Sequence, residues 1–285
     1  MEASVSNVFM TIKKMKNIIK ILFLVSVVLF TSCTDAFDYS TYVIDFDEVN
    51  RRVNNKNLQK LKTKSTTDSI KIAFTGDSHR FYDELESFVN KVNEVNRSVN
   101  FDFVVHVGDI ADFGLPKQYL WGNSCLMNLD VPYFVLLGNH DMVGNGGQAY
   151  QEMFGDYNFS FIYGDVKFVF LNSNSREFQF NGKVPDINWL NNQLKPADDF
   201  KYAVVIFHVP PTDADFDANL TESFHETLAK YNNVLFGIHG HLHHFETYKP
   251  FSDSITYVNV YGTEHRKFNT ITIYNGEYNV NEYAF

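Results

Sequence analysis

Five short apolar runs, each of strand length and rich in β-branched or aromatic residues, stop abruptly on clusters of carboxylates, imidazoles and one amide. Ile72 to Thr75 runs into Gly76, Asp77, Ser78 and His79; Val104 to Val107 runs into Gly108, Asp109, Ile110, Ala111 and Asp112. Phe134 to Leu137 meets Gly138, Asn139, His140 and Asp141; Ala203 to Phe207 ends on His208; Leu235 to Ile238 ends on His239, Gly240, His241, Leu242, His243 and His244. A glycine between a strand and a polar residue permits a sharp exit and close backbone approach, so the next side chain is thrust past the sheet edge. A chain with this pattern has to fold as a sheet whose carboxyl ends collect polar groups.

The segments between these runs fit that frame. Leu85, Phe88, Val89, Val92 and Val95 recur at helical spacing, and Pro116 to Leu129 reads as a second helix, which gives a βαβαβ unit with a parallel sheet. The second half is richer in strands: Phe159 to Tyr163, Val166 to Leu171, Ala203 to Phe207, Val234 to Ile238, Ile255 to Val260 and Thr270 to Tyr274. Two helices interrupt them, with Asp186 and Thr221 as expected caps. Residues 142–154, with Gly144, Gly146 and Gly147, read as a mobile substrate loop, as do residues 113–128 in part. His106 and Cys125 read as packing residues, Tyr150 and Phe113 as core rings with base stacking as the alternative, and His239, His244 and His265 as residues outside the ligand set, with a place at its border as the lesser alternative.

Ahead of this domain, Lys13, Lys14 and Lys16 precede an apolar run from Ile21 to Phe30 broken only by Ser26. That run is too short for the ~20 residues a membrane-spanning helix needs, and reads instead as an export signal. Phe30, Thr31, Ser32 and Cys33 resemble a bacterial lipoprotein box, with phenylalanine in place of the usual leucine. The expected organisation is a signal over 1–32 with Cys33 lipidated, a tether over 33–68 rich in Asn, Lys, Ser and Thr in which Val49, Val53, Leu58 and Leu61 offer one weak face for a short helix, and a catalytic domain over 69–285. The protein is then exported and held by its lipid in the cell envelope, with plain secretion as the alternative. With two cysteines there is no disulfide framework. The formal charge of −10, which becomes −13 once residues 1–32 with their four lysines and one glutamate are gone, argues against a nucleic-acid polymer as partner.

Carboxylate oxygens, imidazole nitrogens and an amide oxygen suit Mn, Fe or Zn, and more than four such ligands suggest two ions, the arrangement most needed for phosphoester hydrolysis. The ordered elements D-x-H, G-D-x-x-D, G-N-H-D, a lone H and G-H-x-H, spread over about residues 70 to 245, closely resemble those of the calcineurin-like metallophosphoesterase superfamily. The resemblance implies an α/β fold, a four-layer α/β/β/α sandwich of two mixed sheets flanked by helices. It implies one divalent metal on Asp77, His79, Asp109 and His243, and a second on Asp109, Asn139, His208 and His241, with Asp109 shared. His140 is then the outer residue that contacts phosphate and protonates the leaving oxygen, Asp112 orients it, and a hydroxide bridging the metals is the nucleophile. Asp112 stands where purple acid phosphatases carry tyrosine, which favours the cyclic-nucleotide and glycerophosphodiester phosphodiesterase branches. The expected substrate is a small-molecule or lipid phosphoester. The alternatives are a non-catalytic metal-binding or scaffolding member of the same fold, and a metallohydrolase of a non-phosphate bond.

Overall fold

The computed structural model describes residues 2–31, 40–251 and 255–285, and the chain divides into two units, Met1–Val43 and Ile44–Phe285. Among its described residues the first holds one helix, α1 (Glu2–Thr31). Among the described residues no helix is long and apolar enough to cross a membrane. Cys33, on which the expectation of lipidation rests, lies outside the described residues.

In the second unit the elements run α2 (Val53–Lys62), β1 (Ser69–Thr75), α3 (Tyr82–Val99), β2 (Phe103–His106), α4 (Pro116–Leu126), β3 (Tyr133–Val135) and α5 (Gly146–Met153). Then follow β4 (Phe159–Tyr163), β5 (Val166–Phe170), α6 (Ile187–Leu194), β6 (Tyr202–Ile206), α7 (Thr221–Ala229), β7 (Val234–His239), β8 (Glu246–Tyr248), β9 (Thr256–Asn259), β10 (Lys267–Tyr274) and β11 (Glu277–Ala284). One sheet has the order β11-β10-β1-β2-β3 and the other β4-β5-β6-β7-β9-β8. β1, β2 and β3 pair in parallel, as do β5, β6, β7 and β9, while the remaining pairs are antiparallel, so both sheets are mixed.

Side-chain alternation sets the layers. On β1 and β2, Ala73 and Val104 face a core with Leu85, Phe88, Val89 and Val92 of α3. Their neighbours Ile72, Phe74, Phe103 and Val105 face the second sheet through Phe168, Val204, Ile206 and Ile238. The outer side of that sheet, with Val205 and Phe207, packs on Leu190 and Leu194 of α6 and Phe224 and Leu228 of α7. The result is helices, sheet, sheet, helices. Burial of each such side chain contributes roughly 1.5–3 kcal/mol, so the two-residue period of the strands fixes which face meets which layer.

Four expectations change. Residues 44–68 are not tether: Phe46, Val53 and Leu61 are buried, and α2 packs on β3, where Asn54 Nδ2 donates to Val135 O and Asn54 Oδ1 accepts from Val135 N–H, both at 2.9 Å. The segment is polar in composition because much of it faces water, Val49 included, while Phe46 and Val53 pack into the core under α3 and Leu61 into the core between the sheets. Residues 146–153 are the helix α5, with Gly146 and Gly147 buried, rather than a mobile loop. Thr221 does not cap α7; its hydroxyl donates to Pro211 O. Asp186 does cap α6, accepting from Trp189 N–H at 2.9 Å. β11 was not foreseen; its apolar alternation is confined to Tyr278 and Val280, which pack on the inter-sheet core, and it is an edge strand held by a full antiparallel ladder to β10.

Candidate metal centre

The five strand ends read from the sequence lie on one rim, because β1, β2 and β3 run parallel in one sheet and β6 and β7 run parallel in the other. Their polar residues meet there. His79 Nε2 lies 3.4 Å from His243 Nε2 and 3.6 Å from Asp109 Oδ2, and His243 Nε2 lies 3.4 Å from Asp77 Oδ1. On the other side, Asn139 Oδ1 lies 3.1 Å from both His208 Nε2 and His241 Nδ1, and His208 Nε2 is 3.2 Å from Asp109 Oδ2. Asp109 Oδ2 therefore faces both groups. Asp77, His79 and His243 form one set of ligand atoms within 4.8 Å of one another, and Asp77, Asp109 and His208 form another.

The local backbone is made for this. Asp77, His79, Asp109, His241 and His243 all have positive φ, between 36° and 73°, a region costly for most residues but several-fold enriched in Asp, Asn and His. Gly138 is required for a different reason: a Cβ there would overlap the Asp109 carboxylate and backbone nitrogen. Asp141, fully buried, ties the turns after β2 and β3 together by accepting N–H bonds from Asp109 (3.0 Å), Ala111 (2.8 Å) and Gly138 (2.8 Å).

Asp77 and Asp109 are buried side by side, and among the described residues no lysine or arginine pairs with either. Burial pushes Asp77 up to about 6, against the pull of His208. For Asp109, burial acts upward but the charge and hydrogen bond of His208 outweigh it and hold the carboxyl below its ordinary range. Burial also pushes His79 down to about 4, which keeps that imidazole neutral. Two buried carboxylates set among imidazole nitrogens and an amide oxygen form a donor set that fits a hard-to-intermediate divalent ion.

His140 stands beside the cluster, half-exposed, with its ring edge-on to His79 at 4.4 Å. Its Nδ1 lies 3.0 Å from Asp112 O and 3.4 Å from Asp112 Oδ1, so Asp112 is placed to fix the ring. All nine site residues foreseen in the sequence are brought together. Of the bystanders, His106 is buried and bonded to Ser78 Oγ at 2.9 Å, His239 is buried against Tyr248 Oη, and His244 and His265 are exposed. Tyr150 is core, donating to Val135 O, whereas Phe113 is exposed and Cys125 is a half-buried free thiol. A cavity of about 680 Å³ lined by Lys56, Lys60, Lys64 and Tyr133 shares no residue with the cluster.

Some functional groups had no sequence signal of their own. A sixth strand end, after β5, buries Asn172, Ser173, Asn174 and Ser175; Ser173 Oγ accepts from the N–H groups of His208 and Val209. Glu264 Oε1 lies 2.7 Å from His243 Nδ1, and Asp213 Oδ1 lies 3.3 Å from His241 Nε2. Glu264 is a single acid in a short turn, and Asp213 opens the loop run Asp213, Asp215, Asp217, where alternate acids do not say which one meets a histidine. Asp141 could have been found, since it closes the third cluster, but a carboxylate aimed at backbone is indistinguishable there from one aimed at a ligand.

Comparison with known proteins gives a consistent picture. Residues 70–245 match the family model described as calcineurin-like phosphoesterase. A protein of Arcobacter nitrofigilis named "Probable glycerophosphodiester phosphodiesterase GpdQ" is 30% identical over 159 residues, covering 51% of this chain and 58% of that protein. The uncharacterized protein YvnB of Bacillus subtilis is 27% identical over 173 residues, 53% of this chain and 13% of that protein. The chain thus spans under two thirds of the length of either relative. Among solved structures, a dimetal phosphatase from Danio rerio superposes with TM-score 0.59 at 16% identity, over 72% of this chain and 93% of that one. The purple acid phosphatase PPD1 from yellow lupin seeds superposes with TM-score 0.58 at 14% identity, over 78% of this chain and 52% of that one. At these identities the likeness is one of fold.

Proposed function

Because the chain belongs to the calcineurin-like phosphoesterase family, we propose that it is a metal-dependent hydrolase of small-molecule phosphodiesters, with two divalent ions (Mn, Fe or Zn) as its cofactors. The observation that carries the proposal is the meeting of seven ligand-type side chains, with Asp109 Oδ2 facing both His79 and His208 and the His140 ring alongside. Asp77, His79, Asp109 and His243 would hold one ion, and Asp109, Asn139, His208 and His241 the other. When bound, such a pair supplies an activated water and neutralises charge on the phosphoryl oxygens.

The chain's own residues do the rest. His208 donates from Nδ1 to Val107 O at 2.8 Å, so Nε2, which faces the Asp109 carboxylate at 3.2 Å, is the nitrogen that would exchange its proton for a cation. His140, with Nδ1 held by Asp112, has Nε2 for the substrate: it contacts a phosphoryl oxygen and then gives its proton to the departing alkoxide. Asp112, buried between His79, Arg80 and His140, keeps that ring from turning. A diester is favoured over a monoester by the name of the Arcobacter relative and by Asp112 standing where a tyrosine would mark a purple acid phosphatase.

The test is turnover of a generic phosphodiester and of glycerophosphodiesters by the full chain with added Mn or Zn. Asp109→Ala should lose both metal and activity, and His140→Ala should keep metal but lose about 10²–10⁴ in kcat; an unchanged rate in either rejects the role assigned to that residue. We further propose that the enzyme is exported and lipid-anchored through Cys33, supported by the basic flank and apolar run before it. Cys33→Ala should abolish fatty-acid labelling and shift the protein out of the membrane fraction.

A further inference from the structure

The imidazoles of His241 and His243 sit one residue apart, yet they turn different nitrogens to the centre. His241 offers Nδ1, which lies 3.1 Å from Asn139 Oδ1, and His243 offers Nε2, which lies 3.4 Å from both His79 Nε2 and Asp77 Oδ1. The far nitrogen of each ring meets a carboxylate from outside the five strand-end clusters. Glu264 Oε1 is 2.7 Å from His243 Nδ1, and Asp213 Oδ1 is 3.3 Å from His241 Nε2.

Neither acid is a casual neighbour. Glu264 sits in the short turn Thr263–His265, which is pinned to both the first and the fifth clusters. Thr263 donates from N (3.0 Å) and Oγ1 (2.8 Å) to Gly76 O, and Gly262 N–H donates to His243 O at 3.1 Å. The turn that carries the carboxylate is therefore hung on the same backbone as the histidine it meets. Asp213 lies in the loop leaving His208. Its N–H donates to Pro210 O at 3.0 Å, and its Oδ1 accepts from Asp215 N–H at 2.9 Å. Asp215 is in turn held by the Arg176 guanidinium at 3.0 and 3.1 Å.

We propose that Glu264 and Asp213 are positioning residues, each fixing the tautomer and plane of one histidine of the metal centre, Glu264 for His243 and Asp213 for His241. A carboxylate on the far nitrogen keeps the proton there, so the near nitrogen carries the lone pair a cation needs, and it adds electron density to the ring. The assignment rests on the metal centre proposed above.

The experiment uses the full chain labelled with ¹⁵N-histidine, without added metal and at mildly alkaline pH, and then titrated with Mn or Zn. Ring nitrogen shifts should report Nδ1–H for His243 and Nε2–H for His241. Glu264→Ala should release the His243 tautomer and leave that of His241, Asp213→Ala should do the reverse, and each should weaken cation affinity about 10- to 100-fold. Glu264→Gln and Asp213→Asn, which keep an acceptor oxygen, should restore part of the loss. Wild-type rings in the opposite or exchanging tautomers would overturn the proposal whether or not metal binds. So would alanine variants that keep both tautomers and wild-type affinity. A wild-type chain that shows the stated tautomers but takes up no cation sinks the metal centre and leaves the carboxylate–histidine pairing standing.

Discussion

Asn54 offers the sharpest test of where this domain begins. β3 is an edge strand with β2 on one side only, and on its open side the Asn54 amide makes the two bonds that another strand would make, to Val135 N–H and Val135 O, each at 2.9 Å. Asn54→Ala removes both. Val135 O keeps the Tyr150 hydroxyl at 2.7 Å, but Val135 N–H is left buried without a partner. An orphaned buried amide costs about 1–3 kcal/mol. For a domain of this size each kcal/mol moves the melting temperature by about 2–4 °C, so the variant should melt about 2–12 °C below wild type. Asn54→Asp should also destabilise, since it still accepts from Val135 N–H but sets an oxygen against Val135 O. The measurement is calorimetric or urea unfolding of the full chain and both variants. Should Asn54→Ala unfold at the wild-type midpoint, α2 is not completing this sheet, and the extension of the domain back to residue 44 is wrong.

Other outcomes follow from the same contacts. Asp141→Asn has only one oxygen for three N–H donors and should cost about 1–3 kcal/mol in urea unfolding while also weakening Mn or Zn uptake, because the turns it ties carry Asp109 and Asn139. Burial pushes His106 down to about 3 in the fold, so its contribution is complete above the unfolded value near 6.5 and is lost as pH falls from there toward 3, at roughly 1.4 kcal/mol per unit; His106→Gln, which does not titrate, should flatten that slope in unfolding measured across pH. Saturating Mn or Zn at a hundred times its dissociation constant should raise stability by about 2.7 kcal/mol per site, and a chelator should reverse it; a melting temperature indifferent to both would mean the cluster binds no cation.

The legible part of this molecule was the part written in period two. Runs such as Val104 to Val107 and Ala203 to Phe207 announce strands by their burial on both faces, and the polar residues that end them announce a rim, because a parallel sheet gives them nowhere else to go. The less legible part is written in single side chains. Residues 44–62 look like a tether because only Phe46, Val53, Asn54, Asn57 and Leu61 are buried, with Ile44 and Leu58 partly so, and two of those five are asparagines held by their bonds rather than by apolar packing. Glu264 and Asp213 are invisible for a related reason. Their partners lie 21 and 28 positions away, at places set by the turns of two different loops, and an acid in a loop has no period.

The residue types at the centre answer two demands at once. Asp77, His79, Asp109, His241 and His243 must offer a ligand atom, and they must also leave a strand through a left-handed turn, at φ of 50°, 36°, 60°, 73° and 62°. Glycine would satisfy the second demand and fail the first, while valine or isoleucine would fail both. Such conformations cost on the order of 1–3 kcal/mol each and persist only where the surroundings over-determine them. Here the surroundings do so: Asp141 holds the turns at Asp109 and Gly138, Thr263 holds Gly76, and the Asp77 carboxylate accepts from His241 N–H. The backbone thereby fixes where each side chain starts, but an imidazole still has two free torsions and two nitrogens to offer. A bond to the nitrogen on the far side is what selects between them, and a centre assembled from strained turns therefore needs acids placed behind its histidines as much as it needs the histidines.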